Sequence, residues 1–226
     1  MAQPRFLLLL VTLVLVIVVS PFEAQLGRWA VLSSSVLFWL VLASAVAAIR
    51  GRRTVQIALP LCALAVLVQG VNLAVHQPVL AMVGNVLAIV FMIYIIAVIL
   101  NFIFHTQRVT VNVIYASLCI YLLLAVAWAV LYSLIEYVDP GSFVATQLDH
   151  EELVQFQFTS KRTNFAFYYS LVTMTTLGYG DVLPVKPAAQ TFAALQAATG
   201  QIYLAVLVAR LVGLHIVHSN EAGKNK

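Results

Sequence analysis

The sequence predicts an all-α membrane protein of six transmembrane helices, with a short re-entrant helix and a glycine-bearing loop between the fifth and sixth. Three observations carry this reading. The 226-residue chain is 63% hydrophobic and only 9% charged, whereas charged residues make up about a quarter of an ordinary soluble domain. Six apolar runs approach the roughly 20 residues needed to cross about 30 Å of hydrocarbon. Between the last two lies an aromatic, apolar stretch too short to cross and too apolar for a surface loop, ending in Thr173-Met-Thr-Thr-Leu-Gly-Tyr-Gly-Asp181.

In chain order, the first span is expected over 6–22. Arg5 followed by an apolar run and Ser20-Pro21 also resembles a secretory signal peptide, but no convincing small-x-small cleavage site follows, so a retained helix is expected. The second span, 29–49, carries Ser33-Ser34-Ser35, small residues that allow close helix approach. The third is 54–75 and the fourth 79–104, which contains no Lys or Arg. Asn72, Asn85 and Asn101 read as interhelical hydrogen-bonding groups. The junction 104–108 is either a tight turn or a coupling element, and it divides a front domain, 1–108, from a second domain, 109–226. There an outer helix at 109–135 is followed by an extracellular segment at 136–163, the re-entrant helix at 164–175 and an inner helix at 188–217.

Orientation follows from Lys and Arg in short loops. Arg5, the Arg50-Gly-Arg52-Arg53 cluster, Arg108 and Lys224-Asn-Lys226 fall on one side, read as cytoplasmic with both termini, and seven of the eight acidic residues fall on the other. The formal charge of +4 is thus a matter of topology in the cell membrane rather than a nucleic-acid footprint. Cys62 and Cys119 lie inside apolar runs and read as small hydrophobes. The His residues lack metal-ligand spacing, and no catalytic constellation is present, so an enzyme is not expected.

In the segment Thr176-Leu-Gly-Tyr-Gly180, glycines at alternate positions permit backbone conformations that a Cβ resists, and successive carbonyls can then face one side. Four such loops around an axis would form rings of carbonyl oxygens able to replace the hydration shell of K⁺. On this motif, 109–218 resembles the tetrameric potassium channel family. The resemblance implies an outer helix, pore helix, selectivity filter (176–181) and inner helix. It also implies that Thr176, Leu177, Gly178 and Tyr179 offer K⁺-facing carbonyls, with Gly180 completing the ion-binding segment, and that the Thr176 hydroxyl faces the innermost site. Thr175, Asp181, Tyr168 and Tyr169 would support the filter. Many relatives have tryptophans at the tyrosine pair, and some a glutamate at Val172. The first four spans resemble a voltage-sensor domain in number and place, but without arginines at every third position of the fourth helix no steep voltage dependence is expected.

The extracellular segment carries Glu136, Asp139, Asp149, Glu151 and Glu152, either a solvated turret or a device that concentrates cations at the mouth. Leu183 stands where an aromatic binds external tetraethylammonium in some family members. In the inner helix, Gly200 is either a hinge or a close-packing glycine, and Leu204, Val208, Val212 and Ile216 form an i, i+4 stripe suited to a hydrophobic gate. Arg210 is expected to snorkel to the inner interface, and His215 and His218 to be solvated there. Too little chain follows His218 for a nucleotide-binding regulatory domain, so such control would fall to a separate subunit. The expectation is a homotetrameric K⁺-selective channel in membrane lipid, with K⁺ as permeant ion, no cofactor and no nucleic-acid partner. A poorly selective cation channel and a non-conducting membrane subunit are the alternatives, the first separable by ion substitution.

Overall fold

The computed structural model describes residues 5–19, 30–75, 77–107, 109–145 and 161–224, with side chains described except at 30–34, 161–164 and 214–224. Its elements are α1 (Leu7–Val19), α2 (Ala30–Ala48), α3 (Arg52–Val75), α4 (Pro78–His105), α5 (Val111–Val138), β1 (Phe143–Ala145), α6 (Lys161–Met174), β2 (Val182–Pro184) and α7 (Pro187–Lys224). Among the described residues, four helices are long and apolar enough to cross a membrane: α3, α4, α5 and the Pro187–Gly213 part of α7. The protein is therefore a multi-pass membrane protein. Of the first two expected spans, the described residues include the apolar helices α1, 13 residues, and α2, 19 residues.

Helix ends follow local chemistry. Pro78 opens α4 at a position where its fixed φ and missing N–H cost nothing, and Gln77 before it is extended, as a residue preceding proline must be. At the other end Thr106 leaves the helix with φ −81° and ψ 125°, while its hydroxyl donates back to the Phe102 carbonyl at 2.7 Å. After Thr106 the chain turns directly into α5, which starts from an extended Thr110.

The buried residues of α4, among them Ala88, Phe91, Met92, Ile95, Ile99 and Ile103, recur at three and four residues, which places them along one side. That helix packs between α3 and α5. On α1 the stripe Phe6, Leu9, Leu13 and Val16 is buried against α2 and α5, with a Thr12–Ser44 hydroxyl pair at 2.7 Å. The front helices thus rest on the outer helix of their own chain. The reverse faces of α1, α3 and α4 expose Leu8, Ile57, Leu59, Leu67 and Ile93, as a lipid-facing surface does.

In the second half, α6 sits against α5 and α7. Its 14 residues reach about 21 Å, too short to span, and they begin three residues earlier and end one earlier than expected. An element absent from the sequence reading is the antiparallel pair β1–β2, with Phe143 opposite Pro184, Val144 opposite Leu183 and Ala145 opposite Val182. It ties the chain after the glycine loop to the chain after α5. The Glu136 carboxylate organises the approach by accepting from the N–H groups of Gly141 (2.8 Å) and Phe143 (3.2 Å), and Lys186 pairs with Asp139. Two carboxylates counted toward a cation-attracting mouth are thus engaged in holding the hairpin, while Asp149, Glu151 and Glu152 lie outside the described residues.

At Gly200 a Cβ would fall 2.6 Å from the Met174 carbonyl oxygen and 2.9 Å from Met174 Cγ, so here the inner helix comes against the C-terminus of α6. A backbone atom cannot step aside cheaply. Gly200→Ala should therefore lower the thermal stability of the purified protein by about 1–3 kcal/mol. Gly213→Ala, where nothing lies within 4 Å, should be neutral or slightly stabilising in the same melt. A hinge without a packing role would instead leave both melting points alike.

Candidate functional site

From the C-terminus of α6 the chain enters Thr175–Asp181, where φ is positive at alternate residues: Thr176 (59°), Gly178 (54°) and Gly180 (78°). Alternating left- and right-handed residues cancel one another's rotation, so peptide planes along such a segment can keep carbonyls on one side. The two glycines take up these angles freely, with nothing within 4 Å of a notional Cβ. Thr176 is the informative member: a β-branched residue at positive φ is an outlier, and such strain costs of order 1–3 kcal/mol. Sequence reading assigned the unusual backbone to the glycines alone.

The loop is anchored from below by its own N–H groups. Thr175 N donates to Leu171 O, Thr176 N to Thr173 O, and Leu177 N and Gly178 N both to Val172 O, at 3.0–3.4 Å. Val172, which stands where some family members have glutamate, contributes through its backbone. The Thr175 hydroxyl donates to Leu171 O at 2.8 Å. That of Thr176 turns to Thr175 O at 2.6 Å, leaving its lone pairs as acceptors. Among the described residues no protein donor reaches the carbonyls of Thr176, Leu177, Gly178 or Tyr179. Leu177 and Tyr179 are 54% and 67% exposed, so the loop forms an open edge of the single chain.

Of the expected supports, Tyr168 and Asp181 come together, the tyrosine hydroxyl donating to the carboxylate. Tyr169 lies elsewhere. It is buried in an aromatic cluster, edge-on to Tyr132 at 5.0 Å and to Phe143 at 5.1 Å, and so joins α6 to α5 and β1. Behind the loop is a largely apolar cavity of about 300 Å³ bordered by Tyr168, Val172, Thr173, Leu183 and Ala197.

Support that the sequence reading missed comes from Gln196, Ser170 and Tyr132, all buried. Gln196 Nε2 donates to Ser170 Oγ (2.7 Å) and Ser170 O (3.0 Å). Its Oε1 accepts from the Tyr132 hydroxyl, and Ser170 Oγ donates to Ala125 O at 2.6 Å. One satisfied network therefore pins α5, α6 and α7 together. A glutamine in an apolar membrane-length segment was the available signal, although Gln190 and Gln201 on the same helix carry it too. Two further ties, Tyr203 OH to Ser117 O at 2.7 Å and Tyr121 OH to Met174 O at 3.4 Å, reinforce it.

On α7, Leu204, Val208 and Val212 are 37%, 57% and 52% exposed, so the stripe faces away from its own subunit; the Ile216, His215 and His218 side chains lie outside the described set. Arg210 does not simply snorkel. Its Nη2 donates to the carbonyls of Ile103 (2.7 Å), Phe104 (2.6 Å) and Thr106 (3.1 Å), and its guanidinium lies 5.0 Å from the Phe104 ring centroid. The C-terminus of α4 leaves carbonyls without helical partners and carries partial negative charge, and a guanidinium satisfies both.

A helix too short to span, a loop of alternating handedness and two long flanking helices make up this half of the chain. Residues 108–214 match the family model described as an ion channel. A stretch of 68 residues is 35% identical to two-pore potassium channel 4 of Arabidopsis thaliana, covering 29% of this chain and 24% of that protein. Over 87 residues the chain is 34% identical to the inward rectifier potassium channel Kirbac3.1 of Paramagnetospirillum magnetotacticum, covering 37% of this chain and 29% of that protein. The matched regions thus span less than a third of either relative's length. No solved structure matches the chain significantly. Over residues 108–214 the chain is thus similar to ion-channel domains, and both of these relatives are potassium channels.

Removing the central amide of the network leaves Ser170 and Tyr132 buried without their partner. Gln196→Leu should cost about 1–3 kcal/mol, read as a lowered melting temperature of the purified protein, and adding Ser170→Ala and Tyr132→Phe should recover part of that loss.

Proposed function

We propose that four copies of this chain assemble into a channel that conducts K⁺ passively and selectively across the cell membrane, with both termini in the cytoplasm. The observation that carries this reading is the alternation of positive φ at Thr176, Gly178 and Gly180 in a loop where the carbonyls of Thr176, Leu177, Gly178 and Tyr179 have no protein donor among the described residues. Four such loops facing an axis give K⁺ rings of oxygens in place of water, and ions advance by displacing one another from site to site. A single loop cannot surround an ion, so the reading requires association around an axis, which also covers the exposed Leu177 and Tyr179. The C-terminus of α6 carries partial negative charge toward the cavity below the loop and favours a cation there. The protein's part is geometric, with no cofactor beyond the permeant ion.

The front domain adds no steep voltage sensing on this reading. Its α4 carries no Lys or Arg and only His105 in its last turn, whereas each charge moved through the field contributes about 2.3 kcal/mol per 100 mV.

In a planar bilayer with KCl on one side and NaCl on the other, the purified protein should reverse near the K⁺ equilibrium potential. Gly178→Ala should abolish that selectivity or the current itself, since a left-handed L-residue costs about 1–2 kcal/mol in each of four subunits. Current reversing near zero would replace this reading with a poorly selective cation channel. The exposed stripe on α7 is proposed as the gate, closed by dewetting. Val212→Asp should then raise open probability severalfold in single-channel records, and an unchanged open probability would remove the stripe from that role.

A further inference from the structure

The front domain contains a feature that ion conduction does not use. Between the start of α1, the end of α2, the first turn of α3 and the last turns of α4 lies a cavity of about 140 Å³. Its polar lining is Arg5, Arg50, Thr54 and Asn101, and its floor includes Phe6 and Ile99, both buried. The Arg5 guanidinium is held against aromatic faces, 4.4 Å from the Phe102 centroid and 5.0 Å from that of Phe6. Stacking of this kind occupies the face of the guanidinium and leaves its in-plane N–H edge for an anion.

Charge at this end is unbalanced. Burial, and then the neighbouring Arg50, press the Arg5 pKa below its usual value. The carboxylates with described side chains, Glu136, Asp139 and Asp181, lie at the other end of α5, in or beside the β1–β2 hairpin. Arg52 and Arg53 on the adjoining turn are exposed and add to the positive field. Beside the cavity, the outer faces of α1 and α3 expose Leu8 (57%), Ile57 (55%) and Leu59 (58%), a surface for acyl chains at the level where a headgroup would meet the arginines.

We propose that this cavity binds the phosphate of an anionic glycerophospholipid, held by Arg5 and Arg50 with its acyl chains against α1 and α3. Guanidinium–phosphate contacts are charge-assisted and can be bidentate, and the ligand neutralises a pair of like charges that the fold otherwise brings together unaided.

The test is binding to the full-length protein in detergent, by microscale thermophoresis, with short-chain phosphatidylglycerol, short-chain phosphatidylcholine and inorganic phosphate as probes. Phosphatidylglycerol should bind and phosphatidylcholine should not. Arg5→Gln with Arg50→Gln should weaken phosphatidylglycerol at least about tenfold, while Arg52→Gln with Arg53→Gln, outside the cavity, should change it by less than about threefold. Should the double variant fail to fold, Arg50→Gln alone, at an exposed position, should still weaken binding severalfold. Equal losses from the two pairs would reduce the site to a diffuse basic surface and overturn the proposal, as would equal binding of the two lipids. Inorganic phosphate binding as tightly as phosphatidylglycerol, with the same dependence on Arg5 and Arg50, would overturn the lipid assignment in favour of a free phosphate.

Discussion

Non-helical backbone at membrane depth is the constraint on which the rest of this structure depends. Carbonyls that leave a helix or sheet inside a bilayer need another partner, and such backbone persists only where protein buries it or a water-filled cavity receives it. In Thr175–Asp181 the N–H groups at the start of the loop turn back onto α6, while among the described residues no protein donor reaches the carbonyls of Thr176, Leu177, Gly178 and Tyr179. The alternation of handedness that frees them requires Thr176 to sit at φ 59°, a conformation that it holds only because its surroundings leave no easier one.

That demand explains the density of ties around α6. The Gln196–Ser170–Tyr132 network fixes it to both long helices, the Tyr169 cluster fixes it to β1, and Gly200 lets the inner helix approach the Met174 carbonyl. Above the loop, Tyr168 holds Asp181 and the β1–β2 pair catches the chain at the next residue. The buried polar groups are individually expensive and collectively satisfied, the condition under which such a network rigidifies rather than weakens a core.

The front domain is joined to this half without a long linker. After Thr106 the chain enters α5 within a few residues, and Arg210 of the inner helix closes over the carbonyls that end α4. A shift of α7 relative to α4 would have to give up these charge-assisted contacts together, so one side chain ties the end of α4 to the last helix.

How much was legible in the sequence differs by kind of information. Helix positions were, because membrane helices are written locally, as apolar runs bounded by Pro78 or by polar turns, and α3, α4 and α5 lie within a few residues of where the pattern puts them. The glycine loop was, because alternate glycines around Tyr179 have a backbone meaning that needs no neighbours. Other features could not be read from the chain. Partners such as Gln196 and Ser170, or Arg210 and Ile103, are separated by 26 and 107 positions, and nothing in one member of such a pair specifies the other. The β1–β2 pairing, the engagement of Glu136 and Asp139 in the hairpin, the packing role of Gly200 and the strain at Thr176 belong to the same class. By itself the sequence determined which segments form long apolar helices and which loop carries the unusual backbone, since burial and propensity act residue by residue. Only the tertiary structure decided which polar groups hold that loop in place, because a hydrogen bond depends on the meeting of two groups that the fold alone brings together.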